Sequence, residues 1–223
     1  MKINEAKTKT MVFNYTHNYQ FSTRLELNSK NVETVTETRL LGTVLTNDLS
    51  WERNTEELVK KAYARMEMLR KLSSFGAPPS DLKQIYIMFI RSLLEQSSSV
   101  WHSSLTVECE NDLERVQKIA FKIILKEKYK SYENSLQIMD LETLKERSKL
   151  SLNFAKKCLK NPKMKHLFPP KKSTHEMIKR NPEHFQVFHT NTERYKNSAI
   201  ISMQNQLNQE VWRKNKEDTL WKN

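Results

Sequence analysis

Apolar residues fall into short runs over the first fifty positions and then recur at helical spacing for most of the remaining chain. The early runs, Thr10 to Phe13, Phe21 to Leu27 and Thr38 to Leu45, read as strands, with Asn47-Asp48 supplying a turn. Asn54 or Thr55 then caps a predicted helix with Glu56 and Glu57 in its first turn and an apolar face of Leu58, Val59, Ala62, Met66, Leu69 and Leu72. Gly76 ends it as a left-handed C-terminal residue would, and Pro78-Pro79 forces a turn. Ser80 caps a second stripe of Leu82, Ile85, Tyr86, Phe89, Ile90, Leu93 and Leu94. Leu113, Val116, Ala120, Phe121, Ile123 and Ile124 form a third.

Two more helices follow, a short one near Tyr132 to Ile138 and a longer one from Glu142 to Lys160. The longer one buries Leu144, Leu150, Phe154, Ala155 and Leu159 and is stopped by Asn161-Pro162. The chain then turns into basic, proline-punctuated loop through Phe168-Pro169-Pro170-Lys171-Lys172 and Arg180-Asn181-Pro182. One further helix is expected at about Ala199 to Leu207, with a frayed end from Trp212 to Trp221. The pattern predicts an α+β chain, predominantly α, in three segments: strands and a hairpin over 1–52, a helical bundle over 53–161 and a basic, irregular C-terminal extension over 162–223.

Composition narrows the function. With only two glycines the chain has no Gly-rich loop through which a backbone could approach phosphates, which sets aside P-loop and dinucleotide folds. A formal net charge of +12 favours polyanion partners, since each cation that neutralises a phosphate releases condensed counterions. The 15 basic and 7 acidic residues between Lys126 and Gln186 make that segment the first place to look for phosphate contacts. Cys109 and Cys158 fall on separate predicted helices, and no secretory h-region is present. A disulfide framework is therefore not expected, and the expected setting is a reducing one, nuclear or cytoplasmic. No stretch approaches the roughly 20 apolar residues of a membrane span, so no membrane partner is expected.

The third predicted helix starts with Glu108, Glu110, Asp112 and Glu114 and ends among Lys118, Lys122, Lys126 and Lys128, a distribution that complements the helix dipole. Lys118, Lys122 and Lys126 share a face at i, i+4 spacing and, with Lys128 and Lys130, are either a solvated face or a phosphate-binding one. Trp101, Phe89 and Tyr86 have the spacing of core residues rather than of a base-stacking platform. His166, His175, His184 and His189 follow Cys158, but no Cys-x2-4-Cys exists to make a zinc site. No Gly-x-Ser-x-Gly or His-Glu-x-x-His element supports a hydrolase.

Five segments in order carry a resemblance. They are Lys7-Thr8-Lys9-Thr10-Met11-Val12-Phe13, Leu40-Leu41-Gly42-Thr43-Val44-Leu45, Phe89-Ile90-Arg91-Ser92-Leu93-Leu94-Glu95, Val100-Trp101-His102-Ser103-Ser104-Leu105, and Leu113 to Leu125. Together they resemble the downstream part of the reverse transcriptases of non-LTR (LINE-type) retrotransposons, from the end of the palm through the thumb. The resemblance runs from about residue 1 to Asn191-Thr192-Glu193-Arg194. It implies that 1–52 is the last edge of a palm sheet with a primer-grip-like hairpin, that 53–161 is a thumb-like helical domain, and that Leu41-Gly42 forms the grip turn. It further implies an RNA/DNA template-primer partner held by phosphate contacts at Lys118, Lys122, Lys126, Lys128 and Lys130, and the palm and fingers of the polymerase as a second partner.

In an intact parent Lys7 and Lys9 would lie near the incoming nucleotide, although lysines flanking an edge strand are also common gatekeepers against aggregation. Leu41-Gly42 is equally readable as an ordinary hairpin turn. The Mg²⁺ implied for the parent needs an aromatic-x-Asp-Asp hairpin and an earlier carboxylate. This chain has only Asp48, Asp81, Asp112, Asp140 and Asp218, with no adjacent pair, and begins downstream of where those motifs lie in the family. The expectation is a truncated RNA-directed DNA polymerase that holds nucleic acid, has no catalytic residue or cofactor of its own and is inactive alone. The alternatives are a non-catalytic helical scaffold with a basic surface, or an active enzyme recruiting Asp48, Glu33 or Glu37.

Overall fold

A computed structural model describes residues 3–4, 7–14, 25–147, 150–168, 185–187, 189–190 and 192–220. The expected strand positions 21–24, the proline-rich stretch 169–182, His175, His184, the side chain of Leu150 and residue 221 lie outside the described residues. The described residues form an α+β chain, predominantly α, with strands confined to the first 46 positions.

Six short strands make three separate two-stranded ladders. β1 (Lys9–Thr10) pairs in parallel with β4 (Glu33–Thr34), and β2 (Glu26–Leu27) pairs antiparallel with β3 (Lys30–Asn31). The third is a hairpin of β5 (Glu37–Leu40) and β6 (Thr43–Thr46), in register from Glu37 opposite Thr46 to Leu40 opposite Thr43. Val44 is the strand residue buried deepest, so the hairpin has little core of its own and leans on the helix after it.

That helix, α1 (Glu52–Ser74), begins two to three residues before the expected cap. Asn54 and Thr55 are both buried inside its first turn, and the Asn54 Oδ1 accepts the Val44 N–H at 3.0 Å. The carboxamide thus joins strand to helix and does not cap. The C-terminus agrees with the sequence reading: Gly76 adopts φ +83°, its N–H reaches the Ser73 carbonyl and the Ala77 N–H reaches that of Leu72, a Schellman closure.

The second stripe is one helical run in three pieces, α2 (Pro79–Ile85), a π-helical turn (Tyr86–Arg91) and α3 (Ser92–Leu94). Pro78 occupies the N-cap position, and the Ser80 hydroxyl goes to the Asp81 carboxylate, so Ser80 is not the cap. The π turn places more residues in each ring than an α turn and rotates the later side chains about the axis. Phe89, expected in the core, is therefore 47% exposed, and Arg91 is turned in at 4%. Tyr86 and Trp101 are fully buried, as their spacing predicts.

α4 (Ser98–Trp101) and a short 3-10 turn lead to α5 (Val107–Leu125), whose cap is Thr106, accepting from the Cys109 N–H. α5 lies parallel to α1 with the α2–α3 run antiparallel to both. Leu58, Met66, Leu69, Tyr86, Ile90, Leu113, Val116, Ala120 and Phe121 share one core. At the C-terminal ends Lys126 Nζ donates to the Ser73 carbonyl at 2.9 Å, a second bond to an acceptor that also takes the Gly76 N–H.

α6 (Tyr132–Met139) is next, then α7 (Leu144–Arg147) and α8 (Leu150–Lys160). Phe154, expected inside, is exposed on α8, while Ala155 and Cys158 are buried in a second cluster with Phe168, Met203 and Leu207. The last three come from beyond residue 161. After the short α9 (Glu193–Lys196), α10 (Ala199–Leu220) supplies Met203 and Leu207 and runs thirteen residues past the expected end at Leu207. The C-terminal segment is thus partly helical and less irregular than its prolines imply. Cys109 and Cys158 are buried free thiols. No helix among the described residues is long and apolar enough to cross a membrane.

The core encloses a polar relay. The Tyr86 hydroxyl donates to Gln117 Oε1 at 2.6 Å, and Gln117 Nε2 donates to the Tyr132 hydroxyl at 2.7 Å and the Glu142 carbonyl at 3.1 Å. Tyr132 in turn donates to Glu114, which also accepts the Leu144 N–H. One carboxamide therefore ties the π turn, α5, α6 and the start of α7. Gln117→Leu strands the buried Tyr86 phenol and the Glu142 carbonyl and leaves Tyr132 only its bond to Glu114, and the expected cost is roughly 2–4 kcal/mol in urea unfolding.

His102 is buried where α10 crosses the turn after α4, and burial holds its pKa below the ordinary 6.5, with Glu110 opposing and Lys145 assisting. Because the unfolded chain binds this proton first, stability is complete above about pH 6.5 and falls as pH drops toward the lowered native value. Urea midpoints between pH 7 and 5 will show this slope, and His102→Gln will flatten it.

Candidate nucleic-acid interface

The hairpin turn is built from strain and bracing. Leu41 and Gly42 both take positive φ, 50° and 87°, the two-residue turn whose twist matches the flanking strands. Glycine adopts this region freely, whereas a leucine there costs about 1–2 kcal/mol. Leu41 nevertheless points outward at 89% exposure, with Leu40 beside it also exposed.

Three contacts hold the hairpin in place. Gln96 Nε2 donates to the Leu41 carbonyl at 3.3 Å, Asn54 takes the Val44 N–H, and Arg39 Nη2 bonds Glu57 at 2.9 and 2.6 Å. Burial pushes the Glu57 carboxyl up, but the bonds from Lys61 and Arg39 outweigh it and leave the group below its ordinary value, ionised to meet both cations. An added Cβ at Gly42 would meet only the end of the flexible Gln96 side chain, which can swing aside, so the reason for glycine at this turn is conformational.

The lysines lie at the other end of the bundle. Lys118, Lys122, Lys126, Lys128 and Lys130 are all exposed. Lys118 Nζ stands 5.0 Å from the Tyr132 ring centroid and Lys122 Nζ 5.4 Å from that of Tyr129. Lys126 closes α1 through Ser73, and the open depression beside it is also lined by Arg70 and Lys122. Among the described residues none of the five forms an ion pair. Ring faces and a carbonyl thus restrict three of the five side chains, Lys118, Lys122 and Lys126, without an ion pair, and Lys118 also acts electrostatically on Glu114 and Glu133.

The two halves of the expected site are therefore separate. The hairpin is fastened at Asn54 and the lysine end at Ser73, nineteen helical residues or about 28 Å apart along α1. Lys9 pairs with Glu33 at 3.4 Å across the β1–β4 ladder, and Lys7 is exposed with its N–H on the Asn4 carbonyl. Neither is brought to the hairpin tip or to the lysine end by a contact among the described residues.

The carboxylates considered for metal chemistry are otherwise engaged. Glu33 holds Lys9, Glu37 holds Arg53 at 3.5 Å, and Asp48 Oδ1 accepts the Ser50 N–H. Among the described residues no group of three His, Cys, Asp or Glu side chains is placed to hold a metal ion. These residues do not fit the Mg²⁺ pair of a polymerase.

Several residues that shape the interface carry no motif signal. Gln96 is recognisable only once the hairpin folds onto the end of α3. Tyr129 and Tyr132 read as loop and helix-start aromatics, although their spacing from Lys122 and Lys118 in a chain that turns back was a usable hint. Glu95 is a further one: it receives Arg91 Nε at 2.9 Å and Arg147 Nη2 at 3.0 Å, fixing the end of the π turn against α7.

Compared with known protein families, curated proteins and solved structures, the chain matches none of the three.

Gly42→Ala should destabilise the chain by roughly 1–2 kcal/mol through the left-handed penalty. In a double-mutant cycle with Gln96→Ala the loss should be nearly the same, because the Gln96 side chain can swing aside. A much smaller loss without Gln96 would show that the contact, and not the backbone, carries the cost.

Proposed function

We propose that the chain is a nucleic-acid-holding module, the thumb-like part of a truncated reverse transcriptase of the non-LTR type, which retains template-primer contacts and lacks the metal-binding aspartates. Support comes chiefly from the five exposed lysines at 118, 122, 126, 128 and 130, none of them in an ion pair among the described residues and three of them held in place by ring faces or a carbonyl. Their phosphate contacts would fix register on a duplex without reading its sequence. The braced Leu41-Gly42 turn is the second element, grip-like in its tightness and outward projection. Its separation of about 28 Å from the lysines spans roughly eight base pairs at 3.4 Å each. A duplex lying along α1 would thus meet both ends of the bundle. The palm and fingers of a polymerase remain the partner that the exposed Leu40 and Leu41 would suit.

The reading is tested by binding of a labelled RNA–DNA primer duplex across a salt series. Binding should weaken with a log-log slope of roughly −0.9 per phosphate contact. Changing Lys118, Lys122 and Lys126 to glutamate should abolish it, with helicity by circular dichroism as the folding control. Absence of binding at low salt would leave a helical scaffold as the function.

A further inference from the structure

The parallel pair α1–α5 carries opposite charge at its two ends. At the N-terminal end a groove of about 580 Å³ runs between the helices, with Glu52, Glu56, Glu108 and Asp112 around it and Val59 and Tyr63 among its lining residues. Lys60 is the single cation lining it, in a chain of net charge +12. Helix dipoles account for acid in the first turns of α1 and α5. They do not account for an apolar strip between the acids, nor for Thr55, which lines the same groove at 2% exposure with its hydroxyl unpartnered among the described residues. Glu56 and Asp112 have exposed partners in Arg53 and Arg115, whereas Glu52 and Glu108 form no ion pair among the described residues.

At the C-terminal end, about 20 Å away between centres along the same helices, lies the depression lined by Arg70, Lys122 and Lys126, with Lys118 one turn back along α5. The two ends are complementary in charge, and each is left open within one molecule.

We infer that the acidic groove receives the basic end of a second copy of this chain, so that copies associate head to tail. The four carboxylates face Lys118, Lys122 and Lys126, with Arg70, itself paired to Glu67, at their edge, while the half-buried Tyr129 beside the lysines supplies apolar contact for Val59 and Tyr63. Such a contact is heterologous: each added copy leaves one groove and one basic end unused, so association continues with concentration and does not stop at a dimer. The inference extends the proposed function, because the same lysines serve duplex and groove, and the two ligands compete.

The experiment is sedimentation of the 223-residue chain over a concentration series at low and high salt. Average mass should rise with concentration at about 50 mM salt and fall to that of the monomer at about 500 mM, where screening is short-ranged. Glu52→Lys with Glu108→Lys, and separately Lys118→Glu with Lys122→Glu, should each weaken association at least about tenfold. All four positions are exposed, and Lys126 is left intact because it closes α1; glutamine at the same positions gives a milder second set should either reversal unfold. Mixing the two reversed variants should restore association between them, since the basic groove of one then meets the acidic end of the other. Added RNA–DNA duplex should return the wild-type chain to monomers.

A chain monomeric at every concentration and salt overturns the inference, as does association that survives both reversals. A lysine-arginine peptide that enters the groove of a strictly monomeric chain overturns the second-copy assignment and identifies a basic partner instead. Duplex binding is scored separately: its loss with association intact sinks the proposed function alone, and its persistence in a strictly monomeric chain sinks only this inference.

Discussion

The seam between α1 and α5 is the constraint on which everything else depends. Antiparallel neighbours can be joined by a short loop, but two parallel helices need a return element between them, and here that element is the α2–α3 run. The run is the shorter, from Pro79 to Leu94 against 23 residues in α1, and α4 with the 3-10 turn after it completes the return that lets α5 start beside the first turns of α1. The pairing is fixed where α1 ends. Gly76 closes the outward turn with a Schellman geometry that a Cβ would strain, and Lys126 locks the far carbonyl of α1 to the end of α5. Between them the Gln117 relay fixes rotation, since its bonds to Tyr86 and Tyr132 form for one azimuth of α5 only. A buried carboxamide with every partner supplied specifies a unique packing better than the surrounding leucines, which tolerate sliding.

Where local chemistry determined the outcome, the sequence was legible. Gly76 and the Pro78-Pro79 pair marked the helix boundary because their backbone preferences are independent of the residues packed nearby, and the stripes on α1 and α5 marked the core because burial follows the 3.6 period. The errors arose where tertiary contact competed with local preference. Asn54 has the chemistry of a cap, but Val44 offered its side chain an N–H that was buried and otherwise unpaired, and the helix started earlier to accommodate it. Phe89 followed an α period through a stretch that is not α. No residue between Tyr86 and Arg91 announces the π turn; Glu95 and Arg147, distant in sequence, hold it by drawing Arg91 inward. Similarly, α10 outran its expected end because Met203 and Leu207 found Ala155, Cys158 and Phe168, an apolar set assembled from both sides of the proline-rich stretch.

The candidate site was legible as residue types and not as a place. Lys118, Lys122 and Lys126 do share a face, but what distinguishes them from an ordinary solvated run is the set of groups beneath them, Tyr132, Tyr129 and the Ser73 carbonyl, none of which belongs to the i, i+4 pattern. A lysine held over a ring keeps its full charge, while one held by glutamate presents almost none at a distance. Lys118 and Lys122 would therefore present far less charge if Tyr132 and Tyr129 were acidic. This physical difference, more than the count of basic residues, separates the lysine end of the bundle from the paired cations of the hairpin and α1, where Arg39, Arg53, Lys61 and Arg70 all face carboxylates.

The hairpin raises the converse question of why a fold would retain a strained residue at an exposed tip. Asparagine at position 41 would occupy the left-handed region at lower cost, and Leu41 obtains nothing from burial in return. Stability alone therefore does not explain the leucine. The bracing around it does not remove the strain; it holds the turn rigid despite it, through Gln96 below, Asn54 behind and the Arg39–Glu57 pair alongside. A rigid, outward, apolar tip on an otherwise polar surface has the physical character of a contact element: ordering is complete before any partner arrives, and the exposed area is returned when one does. That argument is independent of the lysines about 28 Å away, and it places the demand for a second surface, nucleic acid or protein, on the geometry of one dipeptide.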